Sequence, residues 1–82
     1  MTPREEVRSY VKKILVENKD DAAPIADGES LVLSGRLSSL DVVDVLTFLE
    51  GKFDFAMDPN EFDQSKFDSV DAIVGMLEKR PV

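Results

Sequence analysis

The most informative part of the sequence is residues 34–50, which read SGRLSSLDVVDVLTFLE. Ser38 can accept a hydrogen bond from a free amide at a helix N-terminus, and Asp41, three residues later, stands where the helix dipole favours negative charge. The stretch therefore predicts a helix over about 39–52. Its buried face is the apolar stripe made by Val42, Val45, Leu46, Leu49 and Phe53.

The other side of this predicted helix begins at Ser39. The simplest interpretation of Ser39 is a helix cap, but a serine at a helix N-terminus also stands where free amides and the dipole favour a phosphate. Asp41 and Asp44 could act as acid and base or hold a divalent cation, although acidic residues at this spacing are usually solvated. The residues alone leave these alternatives open.

The segments before this helix predict another helix and a long loop. Thr2-Pro3-Arg4-Glu5 is typical of a capped helix start, and the apolar spacing after it predicts a first helix over about 3–17. Turn-forming residues predict a loop over 18–37, in which Ile25, Leu31 and Leu33 would be isolated apolar anchors.

The segments after it predict two further helical pieces. A short helix is expected over about 59–65, and a last helix over about 69–79, capped by Asp68 or Ser69. The run 31–33 could form a strand, but no second alternating run exists to pair with it. The prediction is therefore one all-α domain over 1–82, a bundle of three main helices and one short helix.

Composition limits the function classes. The chain has 82 residues, a formal charge of −7, no His and no Cys, which excludes Ser-His and Cys-His nucleophilic pairs, zinc sites built from these ligands, and disulfides. Residues 1–19 carry a charge of +2 and residues 20–82 a charge of −9. Because acidic surfaces repel phosphate backbones, we expect no nucleic-acid partner. No apolar run predicts export or membrane insertion, so we expect a cytoplasmic protein. We also expect a monomer, and no metal site.

Residues 34–50 resemble the signature of the acyl carrier protein family, including the peptidyl and D-alanyl carriers, in which an Asp-Ser-Leu motif opens an acidic helix. The resemblance continues through Phe53, the segment 57–59 and the segment 67–72. It implies an acyl-carrier-protein-like bundle and a 4′-phosphopantetheine arm, derived from coenzyme A, esterified to Ser39. The thiol of that arm would carry acyl or aminoacyl cargo, in settings such as fatty acid biosynthesis and lipid metabolism.

The resemblance also implies partners and the surfaces that meet them. The chain would not be an enzyme but would be acted on by a phosphopantetheinyl transferase, by acyl or aminoacyl ligases, and by synthases or transferases. Val43, Leu46 and Phe62 are candidates for a cavity that shelters the cargo; the alternative interpretation, which packing in so small a domain favours, is that they are ordinary core. The expected partner-binding residues are Arg36, Leu40, Asp41, Val43, Asp44, Thr47 and Glu50.

Two positions depart from the family pattern. Ser38 stands where the family has Asp, and Gly51 interrupts the acidic run that many members continue after Glu50. Arg36, a positive charge just before the signature, suggests a partner set that differs from that of a general fatty-acid carrier. The alternative function is a carrier-like helical module that is never modified and binds partners non-covalently. The sequence does not distinguish fatty acyl, hydroxyacyl, aminoacyl and polyketide cargo.

Overall fold

The computed structural model describes residues 2–58, 60 and 62–79. Within them the chain forms three α-helices: α1 at Pro3–Lys19, α2 at Ser39–Lys52 and α3 at Val70–Lys79. A short 3-10 helix at Gln64–Phe67 precedes α3. The described residues contain no β-strand, so the prediction of an all-α fold is confirmed. None of these helices has the length and apolar character that a membrane span requires.

Short polar side chains begin each α-helix. The hydroxyl of Thr2 accepts a hydrogen bond from the Glu5 amide at 3.2 Å, and that of Ser69 accepts one from the Ala72 amide at 3.0 Å. Ser69 is therefore the cap of α3. These side chains satisfy amides that have no partner inside their helices.

Helices α1 and α2 run antiparallel, as two ion pairs at their opposite ends show. The Lys19 ammonium at the end of α1 lies 3.1 Å from Asp41 at the start of α2, and Lys52 at the end of α2 lies 3.3 Å from Glu6 in the first turn of α1. The core lies between these helices, α3 and the 3-10 helix. Its fully buried large side chains are Phe67, Leu15, Leu31, Leu37, Leu49, Ile73, Val7, Val11, Val42, Val45 and Val70.

The loop between α1 and α2 is held to the start of α3 by Asp68. Its carboxylate accepts hydrogen bonds from the amides of Val32 and Leu33 at 2.8 and 3.0 Å and from the Ser30 hydroxyl at 3.0 Å. The Leu31 amide donates to the Asp68 carbonyl at 2.6 Å. Since Ser69 caps α3, the side chain of Asp68 is left to order the loop.

Two local predictions need correction. Leu33 is not an anchor of the loop, because its side chain is 84% exposed, while Leu31 and Leu37 are buried. The turn in which the Gly35 amide donates to the Val32 carbonyl directs Leu33 outward. The short helix was predicted at 59–65, of which residues 59 and 61 lie outside the described residues. The 3-10 helix in the structure begins at Gln64 and ends at Phe67.

Candidate functional site

The two serines at the start of α2 have separate roles. Ser38 is the N-cap: its hydroxyl accepts a hydrogen bond from the Asp41 amide at 3.3 Å. Ser39 is the first residue of the helix, is exposed, and its hydroxyl forms no hydrogen bond within the part of the chain that the structure describes. The Ser39 hydroxyl therefore takes no part in capping the helix, whereas the Ser38 hydroxyl does.

Asp41 is buried in the same cap, which corrects the expectation that it is a partner-binding residue. Its side chain accepts hydrogen bonds at 2.9 Å from both the amide and the hydroxyl of Ser38, and it pairs with Lys19. Burial opposes the charge of Asp41, but the Ser38 and Lys19 donors outweigh it and hold the pKa of Asp41 below its usual value. With 5% of the residue exposed, Asp41 offers partners almost no surface.

Arg36, which the resemblance implied as a partner-binding residue, makes several contacts within the chain. Its guanidinium pairs with Asp21 at 3.0 Å and with Glu29 at 3.0 Å, and it donates to the carbonyls of Ala23 and Pro24. Hydrogen bonding to Arg36 holds the pKa of Asp21 below its usual value. Arg36 therefore ties the segment after α1 to the segment before α2.

The remaining predicted surface residues of α2 are exposed. Leu40 and Val43 expose 79% and 48% of their surface, so these two apolar side chains lie largely outside the hydrophobic core. The Thr47 hydroxyl donates to the Val43 carbonyl at 3.0 Å, so it is partly used within the helix. Spacings of three and four residues align these side chains in neighbouring rows. We call this surface the outer face of α2; it consists of Ser39, Leu40, Val43, Asp44, Thr47 and Glu50.

A shallow groove of about 400 Å³ borders the outer face. The three predicted cavity residues Val43, Leu46 and Phe62 all line it. Met57 and Asp58 also line it and were missed as cavity residues, because they lie in an irregular segment where no periodic pattern indicates which side chains face a helix. Leu46 and Phe62 also pack against the core, so the groove is formed by the edge of the core rather than by an internal cavity.

Carboxylate chemistry has no support in this geometry. Asp41 is buried and ion-paired, whereas Asp44 is exposed on the outer face, so the two do not share a site. Among the described residues, no group of three or more acidic side chains could hold a metal ion.

Comparison with known proteins places these features in context. No protein-family model and no curated protein matches the chain. A holo acyl carrier protein from Nitrosomonas europaea superposes with a TM-score of 0.71 at 26% identity, covering 95% of this chain and 94% of the other. A glycylated carrier protein, bound to the glycine:[carrier protein] ligase of Bradyrhizobium japonicum, has a TM-score of 0.68 at 32% identity, covering 92% of this chain and 99% of the other. With the fold and nearly the full length of both chains shared at this identity, the chain belongs to the acyl carrier protein family.

Proposed function

We propose that this carrier protein is modified on Ser39 by 4′-phosphopantetheine, derived from coenzyme A, and presents acyl or aminoacyl cargo to separate enzymes. The observation that carries the proposal is the free, exposed Ser39 hydroxyl beside a neighbouring serine that already caps the helix. The similarity to a holo acyl carrier protein supports the presence of an arm.

The residues around Ser39 suit a phosphodiester. The first amides of a helix have no partner inside the helix, and the dipole there stabilises an anion by about 0.3–1 kcal/mol. The exposed position of Ser39 lets an attached group extend into solvent or along α2. When bound, the arm would supply the thiol that this Cys-free chain lacks, and that thiol would carry the cargo as a thioester.

The outer face of α2 is the proposed docking surface for partner enzymes. Leu40 and Val43 provide apolar contact beside Ser39, and Asp44 and Glu50 provide negative charge. Such charges steer basic partners toward the surface and favour brief, sequential encounters. We propose a phosphopantetheinyl transferase, ligases, and synthases or transferases as partners. The similarity to a glycylated carrier protein that is complexed with a Bradyrhizobium japonicum ligase supports the ligase partner.

The groove at Val43, Leu46 and Phe62 is the proposed resting place for cargo. Val43 lies about one helical turn, roughly 6 Å along the axis, from Ser39. Apolar side chains there would shelter the part of the cargo nearest the thioester from water. The groove is open, which suits both a short aminoacyl group and the first carbons of a longer acyl chain.

The alternative is a carrier-like module that binds partners without modification. Intact-mass measurement separates the two functions after incubation with coenzyme A, Mg²⁺ and a broad-range phosphopantetheinyl transferase. We expect a gain of roughly 340 Da, the mass of one phosphopantetheine, that disappears in Ser39→Ala. The matched control is Ser38→Ala, which makes the same change one residue earlier and should still gain the mass. If neither a broad-range transferase nor one encoded near this gene adds the mass, the unmodified alternative is correct.

A further inference from the structure

Lys19 lies between a buried carboxylate and the surface at the start of α2. Its ammonium is 3.1 Å from Asp41 Oδ2, and the same oxygen accepts the Ser38 amide at 2.9 Å. The side chain of Lys19 is 34% exposed, whereas that of Asp41 is 8% exposed. An ammonium has three N–H donors, so the pairing with Asp41 leaves Lys19 able to bond a second anion.

This arrangement keeps the Lys19 charge close to Ser39. Two distances of 3.1 and 2.9 Å meet at Asp41 Oδ2, so the ammonium lies within about 6 Å of the Ser38 nitrogen, and Ser39 is the next residue. Salt weakens the interaction between exposed charges progressively with distance, over a screening length of about 8 Å at physiological ionic strength. A phosphodiester on Ser39, one residue further along the chain, would therefore bring a second negative charge close to the Lys19–Asp41 pair.

No other ion pair among the described residues reaches the first turn of α2. Arg36, the nearest cation along the chain, is occupied by Asp21 and Glu29. Modification of Ser39 would place a second anion beside Asp41, and Lys19 is the cation available to offset the repulsion between them.

We propose, on the basis of the function proposed above, that Lys19 holds the phosphodiester of modified Ser39 and offsets its charge beside Asp41. Attachment of the arm is then coupled to the Lys19–Asp41 pair. A lysine with a purely structural role would stabilise the unmodified and modified proteins equally, whereas a lysine that also meets the phosphodiester stabilises the modified protein more.

The experiment compares the thermal unfolding midpoints of the unmodified and modified proteins, with modification verified by mass. For Lys19→Met we expect modification to lower the midpoint by about 2–6 °C relative to the change that modification causes in the wild type. Lys19→Arg should restore the wild-type difference. In Lys19→Met combined with Asp41→Asn the loss should shrink, because Asp41 no longer repels the phosphodiester.

The matched control is Lys52→Met, which removes the ion pair at the other end of the same two helices, roughly 20 Å along α2 from Ser39. It should affect the unmodified and modified proteins equally. The ³¹P resonance of the modified protein should shift in Lys19→Met and not in Lys52→Met, and the shift should shrink in 1 M salt. If the mass gain occurs but Lys19→Met changes both midpoints equally, the inference about Lys19 is wrong. If no mass gain occurs, the proposed function fails and this inference fails with it.

Discussion

Ser38 and Asp41 bond to each other in both directions: the Ser38 hydroxyl accepts from the Asp41 amide, and the Asp41 carboxylate accepts from the Ser38 amide. This reciprocal cap explains how α2 can begin without the aspartate that the family has before its modified serine. It also explains why Asp41 is withdrawn from the surface, since its carboxylate is turned back toward the helix start.

Replacing Ser38 with alanine should destabilise the protein by about 1 kcal/mol, because the Asp41 amide loses its acceptor. Urea unfolding measures the free energy. Ser39→Ala is the matched control and should change stability by less than about 0.5 kcal/mol, since the Ser39 side chain is exposed and caps nothing. Equal losses in the two variants would contradict the assignment of the cap to Ser38.

Replacing Arg36 with methionine should destabilise the loop between α1 and α2 by about 1–2 kcal/mol, because it removes the guanidinium that joins both ends of the loop. Amide hydrogen exchange should then increase between residues 21 and 36. Lys13→Met removes one positive charge at an exposed position of α1 and serves as the control. Unchanged exchange in the Arg36 variant would show that the contacts of Arg36 do not order the loop.

Asp68 should contribute to the loss of stability in acid. The hydrogen bond from the Leu33 amide is the largest cause that lowers the pKa of Asp68. A carboxyl group with a lowered pKa in the folded state contributes stability above its unfolded pKa of about 3.9, and this contribution is lost as pH falls through the folded value. Asp68→Asn should therefore make the free energy of unfolding less dependent on pH below about 4. The same pH dependence as in the wild type would exclude this role.

Reversing the charge at Asp44 should slow modification without unfolding the helix. Asp44 is exposed on the outer face of α2, so Asp44→Lys repels a basic partner but disturbs no described contact. We expect kcat/KM of the transferase to fall about 3–10-fold at low salt, with a smaller effect at high salt. Glu78→Lys makes the same charge change on α3 and should have little effect. Equal rates for Asp44→Lys and the wild type at low salt would remove Asp44 from the docking surface.

Truncating Leu40 tests the apolar part of the same surface. Leu40→Ala should lower kcat/KM of the transferase by about 5–30-fold, the effect expected of a well-buried interface contact, with little change in stability. Leu33→Ala makes the identical change at a leucine that is equally exposed but lies on the loop. If the two variants lose the same activity, general surface hydrophobicity rather than docking at Leu40 explains the effect.

The helix starts could be predicted because they depend on neighbours within four residues. Thr2, Ser38 and Ser69 each bond an amide three residues later, and this requirement is visible in the residue types. The exposure of Ser39, Leu40 and Val43 followed from the same helical periodicity. Lys19 was not singled out, because the predicted first helix ended at about residue 17. In the structure α1 continues to Lys19, which places this residue in its last turn.

The surroundings of Asp41 and Arg36 could not be predicted, because their ion-pair partners are distant in the chain. Periodicity alone cannot determine that Asp41 is buried, because the Lys19 ammonium that stabilises its charge comes from the preceding helix. The sequence alone indicates no partner for Arg36, whereas the folded loop places Asp21 and Glu29 beside its guanidinium. Local hydrogen bonding and helical spacing therefore specify the helices and the position of Ser39. The charges that surround Ser39 depend on tertiary packing, because electrostatic pairing follows distance in space rather than separation along the chain.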